Sequence, residues 1–146
     1  MVVGSVADML SSIRLSQIYV LDHDQALEFY VGTLGFEVHS DVDMGFMRWL
    51  TVNLPDAPDR ELMLEIPGPP SLSPELAAQV RDSLTKGAGG GWFSINTDDA
   101  YAAADELRSK GVDFTDEPTE RDYGIDFGIR DPFGNRIRIG QIKEGY

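Results

Sequence analysis

"SQIYVLDHDQALEFYVGTLGFEV", residues 16–38, decides the fold, because "WFSINTDDAYAAADELRSKGVDF", residues 92–114, repeats its plan. The first stretch alternates polar and apolar residues up to Val20 and turns at Asp22. It then runs as an amphipathic helix through Ala26, Leu27, Phe29, Tyr30 and Leu34, and breaks at Gly35 into another strand. The second alternates up to Thr97 and starts a helix at Asp98-Asp99. That helix passes through Ala103, Ala104 and Leu107 and breaks at Gly111 into a strand. Val20 with Asp22 matches Thr97 with Asp99, and "LGFEV" matches "KGVDF". Two copies of one supersecondary unit follow.

Further strand segments come after each helix. They are "FEVHSD", "FMRWLTVNL" and "ELMLEI" in the first copy, and "VDFTDE", "YGIDFGIRD" and "NRIRIGQI" in the second. Each copy therefore reads β-α-β-β-β, and the expected class is α+β, with two modules in tandem whose curved sheets surround a cleft. Module boundaries fall at about 12–67 and 91–146, within one domain spanning 1–146. The linker, about 68–90, enters through prolines, carries a short helix near Pro74 to Leu84 capped by Ser73, and leaves through glycines.

Composition narrows the function. With 42% hydrophobic and 25% charged residues the chain reads as soluble and folded, and no apolar run reaches the roughly 18 residues of a spanning helix. "MVVGSVADMLSSIRL" has neither a basic leader nor a continuous apolar core, so a cytoplasmic location is expected. The absence of cysteine excludes disulfides, thiolate metal sites and cysteine nucleophiles. A net charge of -13 disfavours nucleic acid, whose binding draws on clustered Lys and Arg, and an acidic field suits cations or cationic small molecules.

The last strand places Arg136 and Arg138 on one face and Ile137 and Ile139 on the other. It is fed by a turn in which Pro132 fixes φ and Gly134-Asn135 supplies positive φ. The paired modules, "VLDHDQALEFYVGTLGFEV" and "RDPFGNRIRI" together resemble the vicinal oxygen chelate superfamily, which includes glyoxalase I, bleomycin resistance proteins and extradiol dioxygenases. The resemblance implies sheets curving into a cleft, a homodimer and, in the metal-dependent members, a divalent ion held by His and Glu. Carried over residue by residue, the four ligand positions fall on Leu15, Glu65, Trp92 and Arg138. Only Glu65 offers a ligand atom, because leucine and tryptophan present no lone pair and a guanidinium cannot coordinate a cation. The sequence therefore leads to no metal and no cofactor. Arg138 either supplies the missing positive charge and pairs with Glu65 across the cleft, or simply reaches solvent.

Alternation assigns the cleft face. Leu15, Gln17 and Tyr19 come from the first strand, and Glu61, Met63 and Glu65 from the fourth. Trp92, Ser94 and Asn96 come from the fifth, with Arg136 and Arg138 last. Trp49, Tyr123, Met44, Phe46 and Met47 lie in strands or loops able to close over it, or else pack in the core. His23 and His39 match no family ligand position. His23 lies in a turn where exposure is expected, and His39 reads as an edge-strand histidine that could face the cleft as a base.

Two functions are expected from these readings. The favoured one is a metal-independent protein of the glyoxalase/bleomycin resistance type that sequesters an aromatic or cationic organic compound such as an antibiotic. The alternative is a vicinal oxygen chelate enzyme, a lyase, isomerase or dioxygenase. It would work through Glu65, Glu61, His39 or Tyr123, with glutamate pKa values raised beside tryptophan, or through a metal site not recognised in the sequence. The partners implied are a small molecule and a second copy of the chain, with no membrane and no nucleic acid.

Overall fold

The computed structural model describes residues 4–88 and 91–146. The glycine-rich exit of the linker at 89–90 and the first three residues of the N-terminal reading lie outside them. After a four-residue helix α1 (Val6–Met9), the first module runs β1 (Leu15–Tyr19), α2 (His23–Leu27), β2 (Glu37–Asp43), β3 (Arg48–Asn53) and β4 (Glu61–Glu65). Helix α3 (Pro74–Thr85) follows. The second module runs β5 (Trp92–Asn96), α4 (Ala100–Ser109), β6 (Asp113–Arg121), β7 (Gly124–Arg130) and β8 (Arg136–Ile142). Each module makes one four-stranded sheet, and the strand orders β1-β4-β3-β2 and β5-β8-β7-β6 are the same. In both, the first strand pairs parallel with the last and the remaining pairs are antiparallel.

The helix starts follow from side chains that satisfy free backbone N–H groups. Asp22, Ser73 and Asp99 each accept from a backbone amide three residues on. One difference from the sequence expectation concerns α2, which is α-helical only to Leu27 and continues as a π-helix over Glu28–Thr33. The wider turn lets the consecutive residues Phe29 and Tyr30 both be buried, with their rings edge to face at 5.1 Å. Helix α1 was not anticipated, and none of its residues is buried.

Period-two alternation puts one face of each sheet into a shared core. Ile18, Val20, Leu50, Val52, Leu62 and Leu64 from the first sheet join Phe127, Ile129, Ile137 and Ile139 from the second, with Tyr30, Ala104 and Leu107 from the helices. A buried polar junction ties the modules together. The Tyr30 hydroxyl donates to Asp131 Oδ2 at 2.8 Å, and Asp131 Oδ1 accepts from the backbone amides of Phe133 and Asn135. Asn135 Nδ2 donates to Asp131 Oδ2 and, at 2.7 Å, to the Tyr19 carbonyl at the end of β1. Burial, and then the neighbouring Asp131 charge, push the Tyr30 hydroxyl pKa well above its ordinary value. The turn needs Gly134, whose φ is 100° and where a β-carbon would lie 2.8 Å from the Leu84 carbonyl oxygen.

No helix among the described residues is long and apolar enough to cross a membrane. With the apolar core on one face of each sheet, the opposite faces carry mostly polar residues, of which Thr51, Asn53, Glu61 and Asp126 are buried.

Candidate functional site

On the open face of the second sheet, β5 and β8 run in register, so Trp92 lies beside Arg136, Ser94 beside Arg138 and Asn96 beside Gly140. Strand β7 continues the rows, with Gly128 beside Arg138 and Asp126 beside Gly140. These residues line a cavity of about 300 Å³ together with Tyr123 and Ile142. Trp92 stands over it with 64% of its surface exposed, which is unusual for an indole in a strand and leaves a flat apolar plate facing solvent.

Arg138 is fixed at the floor. One Nη1 hydrogen bond reaches Asp116 Oδ1 at 2.6 Å, and Nη2 lies 2.8 Å from Asp126 Oδ2. Asp126 also accepts from Arg121 Nε at 2.9 Å and from the Tyr123 hydroxyl at 3.0 Å. Burial alone would raise the Asp126 pKa, but the hydrogen bonds from Arg138, Arg121 and Tyr123 outweigh it and hold the carboxyl below its usual range. For the Tyr123 hydroxyl, burial and the hydrogen bond to Asp126 push the pKa up. The network depends on a missing side chain, since a β-carbon on Gly128 would meet the Thr115 hydroxyl, Asp116 Oδ1 and Arg138 Nη1. Arg138 therefore pairs within its own sheet. The expected partner across the cleft, Glu65, instead accepts from the Ser71 hydroxyl at 3.2 Å.

The residues placed together by alternation fall mainly into two groups, which share a cavity of about 730 Å³ lined by Glu61 together with Ser94 and Asn96. Trp92, Ser94, Asn96, Tyr123 and Arg138 meet in the second-sheet cavity, with exposed Arg136 at its edge. Leu15, Gln17, Tyr19, Met63 and Glu65 lie on the open face of the first sheet, where Gln17 and Tyr19 border an apolar groove of about 470 Å³ against α3. Burial, then the charge of Glu65, raise the Tyr19 pKa. Trp49 and Met47 are half-buried, and Met44 and Phe46 are exposed at the β2–β3 turn, away from the cavity. His23 is half-buried rather than exposed, because its ring Nε2 is held 3.0 Å from the Leu64 carbonyl oxygen.

The first sheet gathers its own polar cluster around Glu61, which is only 8% exposed. Its Oε1 accepts from the Thr51 hydroxyl at 2.8 Å and its Oε2 from Arg14 at 2.7 Å, while His39 Nε2 lies 3.7 Å from Oε2. Burial pushes the Glu61 pKa up, yet Thr51, Arg14 and His39 pull it below the ordinary carboxylate range. The raised value expected for an acid-base glutamate is not found at Glu61.

The strand registers also show that Glu65 and Arg138 do not hold equivalent positions in the two modules. Leu15 and Trp92 head equivalent strands; counting along each pair, Arg138 corresponds to Met63, and Glu65 corresponds to Gly140. Taken from Arg138, the four equivalent positions are Leu15, Met63, Trp92 and Arg138. None suits a divalent cation, and a guanidinium between two carboxylates repels one. Among the described residues no three His, Asp or Glu side chains converge as a metal site requires.

Sequence reasoning missed Asp116, Asp126, Thr51 and Asn53. A signal for Asp126 was available, because "GIDFGIR" alternates Asp126 and Gly128 against Ile125, Phe127 and Ile129, and so places the aspartate on the face of Arg138.

The chain is 36% identical over 130 residues to YurT, an uncharacterized protein of Bacillus subtilis, covering 88% of this chain and 98% of the other. An uncharacterized protein of Shewanella frigidimarina is 30% identical over 139 residues, covering 93% and 97%. Among solved structures, UcmS2 superposes with a TM-score of 0.82 at 38% identity, covering 90% of this chain and 98% of that one. TnmS3, an antibiotic binding protein from Streptomyces sp. CB03234, superposes with a TM-score of 0.73 at 29% identity, covering 92% and 98%. A family model matches residues 10–139, and the chain belongs to the Glyoxalase/Bleomycin resistance protein/Dioxygenase superfamily.

Proposed function

We propose that this protein binds an aromatic organic compound, such as an antibiotic, without a metal ion, and sequesters it in the second-sheet cavity. The observation that carries the reading is Trp92. An indole 64% exposed above a floor of fixed polar groups provides a stacking surface on one side and orienting hydrogen bonds on the other. The Arg138 guanidinium, held by Asp116 and Asp126, supports the metal-free part of the proposal. The net charge of -13 favours cationic ligands over anionic ones. The description of TnmS3 as an antibiotic binding protein agrees with this class of ligand.

A thermal-shift screen of planar aromatic compounds, cationic and neutral, followed by calorimetric titration, tests the reading. At least one compound should stabilise the wild type. Trp92→Ala should weaken its binding by about 2 kcal/mol, roughly 30-fold, as for an aromatic anchor. Unchanged affinity in that variant would refute the site assignment, and one tightly held transition metal per chain on elemental analysis would refute metal independence. The proposal includes a homodimer, supported by the exposed apolar Val38, Val42, Met44 and Phe46 along β2 and its turn. Light scattering that gives a monomer of 16.1 kDa at every concentration would count against it.

A further inference from the structure

We propose that the outer edge of β5 docks a short extended peptide, which adds to the second sheet as a further strand and places alternate side chains in the 730 Å³ cavity between the modules. Strand β5 ends its sheet, with β8 on one side and no strand on the other. In a parallel pair every second residue turns its N–H and C=O towards the partner, and the residues between turn theirs away. The Thr97 amide donates to the Gly140 carbonyl at 2.9 Å, and this fixes the alternation. Phe93, Ile95 and Thr97 face β8, while Trp92, Ser94 and Asn96 present their backbone groups outward. Ser94 and Asn96 are exposed, and no backbone hydrogen bond of a turn, loop or cap among the described residues uses either of them. A free edge of this kind is a template for another strand.

Space lies on both sides of that edge. On the core side, the cavity of about 730 Å³ is walled by Phe36, Leu54 and Leu62 from the first module and by Phe93 and Ile95 from β5 itself. On the other side, Ser94 and Asn96 also line the cavity under Trp92. A strand laid along β5 shares its pleat. Side chains opposite Phe93 and Ile95 therefore enter the apolar cavity, and those opposite Ser94 and Asn96 emerge beside the indole. The first residues of the edge are closed off by β1, since a β-carbon on Gly91 would lie 3.3 Å from Ile18 Cγ2. The usable edge runs from Ser94 to Asn96, which is why the docked segment is short.

Charge selects the chemistry of the peptide. Asp56 lines the cavity, Asp59 follows on the same turn and Asp98 comes two residues after Asn96; all three are exposed, with Arg60 as the cation beside them. The whole chain carries a net charge of -13. A peptide that alternates apolar and basic residues meets both demands, with apolar side chains for the inter-module cavity and cationic ones beside Trp92, where an ammonium over an indole is favourable. A purely aliphatic molecule would fill the cavity and leave the outward N–H and C=O groups of Ser94 and Asn96 without partners. The inference stands on the free edge of β5 and goes beyond the aromatic ligand proposed for the Trp92 cavity.

The probe is a blocked peptide of alternating leucine and lysine, titrated into the full chain and followed by amide signals and hydrogen exchange. The Ser94 and Asn96 amides should exchange quickly in the free protein and about tenfold or more slowly with saturating peptide, whereas the Ile95 amide, bonded to β8, should be slow in both states. N-methylation of every second peptide amide should weaken binding about tenfold in one phase of the alternation, the loss of its backbone hydrogen bonds, and change little in the other. Ser94→Pro removes an outward N–H at a position where an edge strand tolerates proline, and should weaken binding about fivefold in a chain that circular dichroism shows to be folded. Unmoved Ser94 and Asn96 amides at millimolar peptide would overturn the inference, as would equal losses in both methylation phases. Protection of these amides in the free chain that falls on dilution would also overturn it, because a second copy would then cover the edge. Peptide binding lost in Trp92→Ala, with Ser94 and Asn96 unprotected in the wild type, would overturn it while supporting the cavity on the second sheet.

Discussion

The two sheets share strand order and register, yet their open faces differ at the centre. In the first sheet Met63 lies between Gln17 and Thr51, is 5% exposed and closes the surface. At the equivalent point of the second sheet Arg138 lies between Ser94 and Gly128. The neighbours decide the difference. Thr51 has its counterpart in Gly128, and Glu65 in Gly140, so the second sheet lacks two side chains that the first one has. The space released holds the Arg138 network and the cavity above it. The two modules thus share one framework, and two glycines leave the second sheet the space for the Arg138 network and its cavity.

The comparison fails most completely if the modules are separated, so the largest expected effect belongs to the junction. Asp131→Ala removes an acceptor shared by Tyr30, Asn135 and two backbone amides, and should cost about 3 kcal/mol or more in denaturant unfolding. A loss below about 0.5 kcal/mol, the usual surface range, would show that the junction is dispensable.

Next in size is Gly128→Ala, which gives the second sheet the β-carbon that the first has at Thr51. It should cost about 1–3 kcal/mol as an overpacking change and break the Arg138–Asp116 contact. Loss of ligand binding together with stability would confirm that the pocket depends on the glycine.

Acidification sharpens the contrast more gently. Asp126 and Glu61 both have folded pKa values below the usual carboxylate range. Their contribution to stability is therefore fully present above the unfolded value of about 4, and is lost as pH falls through the lowered folded values. Stability measured from neutral pH downwards should show this acid limb. Asp126→Asn should flatten it through the second sheet and Glu61→Gln through the first. A limb unchanged by either substitution would remove both networks from the account.

The smallest effect is expected where the surface is already exposed. Trp92→Ala should alter unfolding stability by no more than about 0.5 kcal/mol, as for surface positions, despite its effect on binding. A larger destabilisation would make Trp92 part of the packing and erase the distinction between the two open faces.

Much of this was legible in the residues. The repeat of 16–38 in 92–114, the capping residues Asp22, Ser73 and Asp99, and the outward parity of Trp92, Ser94 and Arg138 all follow from local chemistry and from periods of two and 3.6 residues. Alternation assigns a face, and it put Trp92, Ser94 and Arg138 on one face, where they line a cavity together with Tyr123. It does not say which of two sheets a face belongs to in space, which is why Leu15, Gln17, Met63 and Glu65 were joined to the same cleft.

The sequence by itself determined the two modules and their helix starts, because each rests on neighbours within a few residues. Tertiary structure alone decided the partners of Arg138, the bulge that turns His39 towards Glu61, and the junction of Tyr30 with Asp131, 101 residues apart. Those contacts depend on strand register and on the packing of one module against the other. A side chain's partner across such distances is set by the whole fold rather than by the residues beside it in the chain.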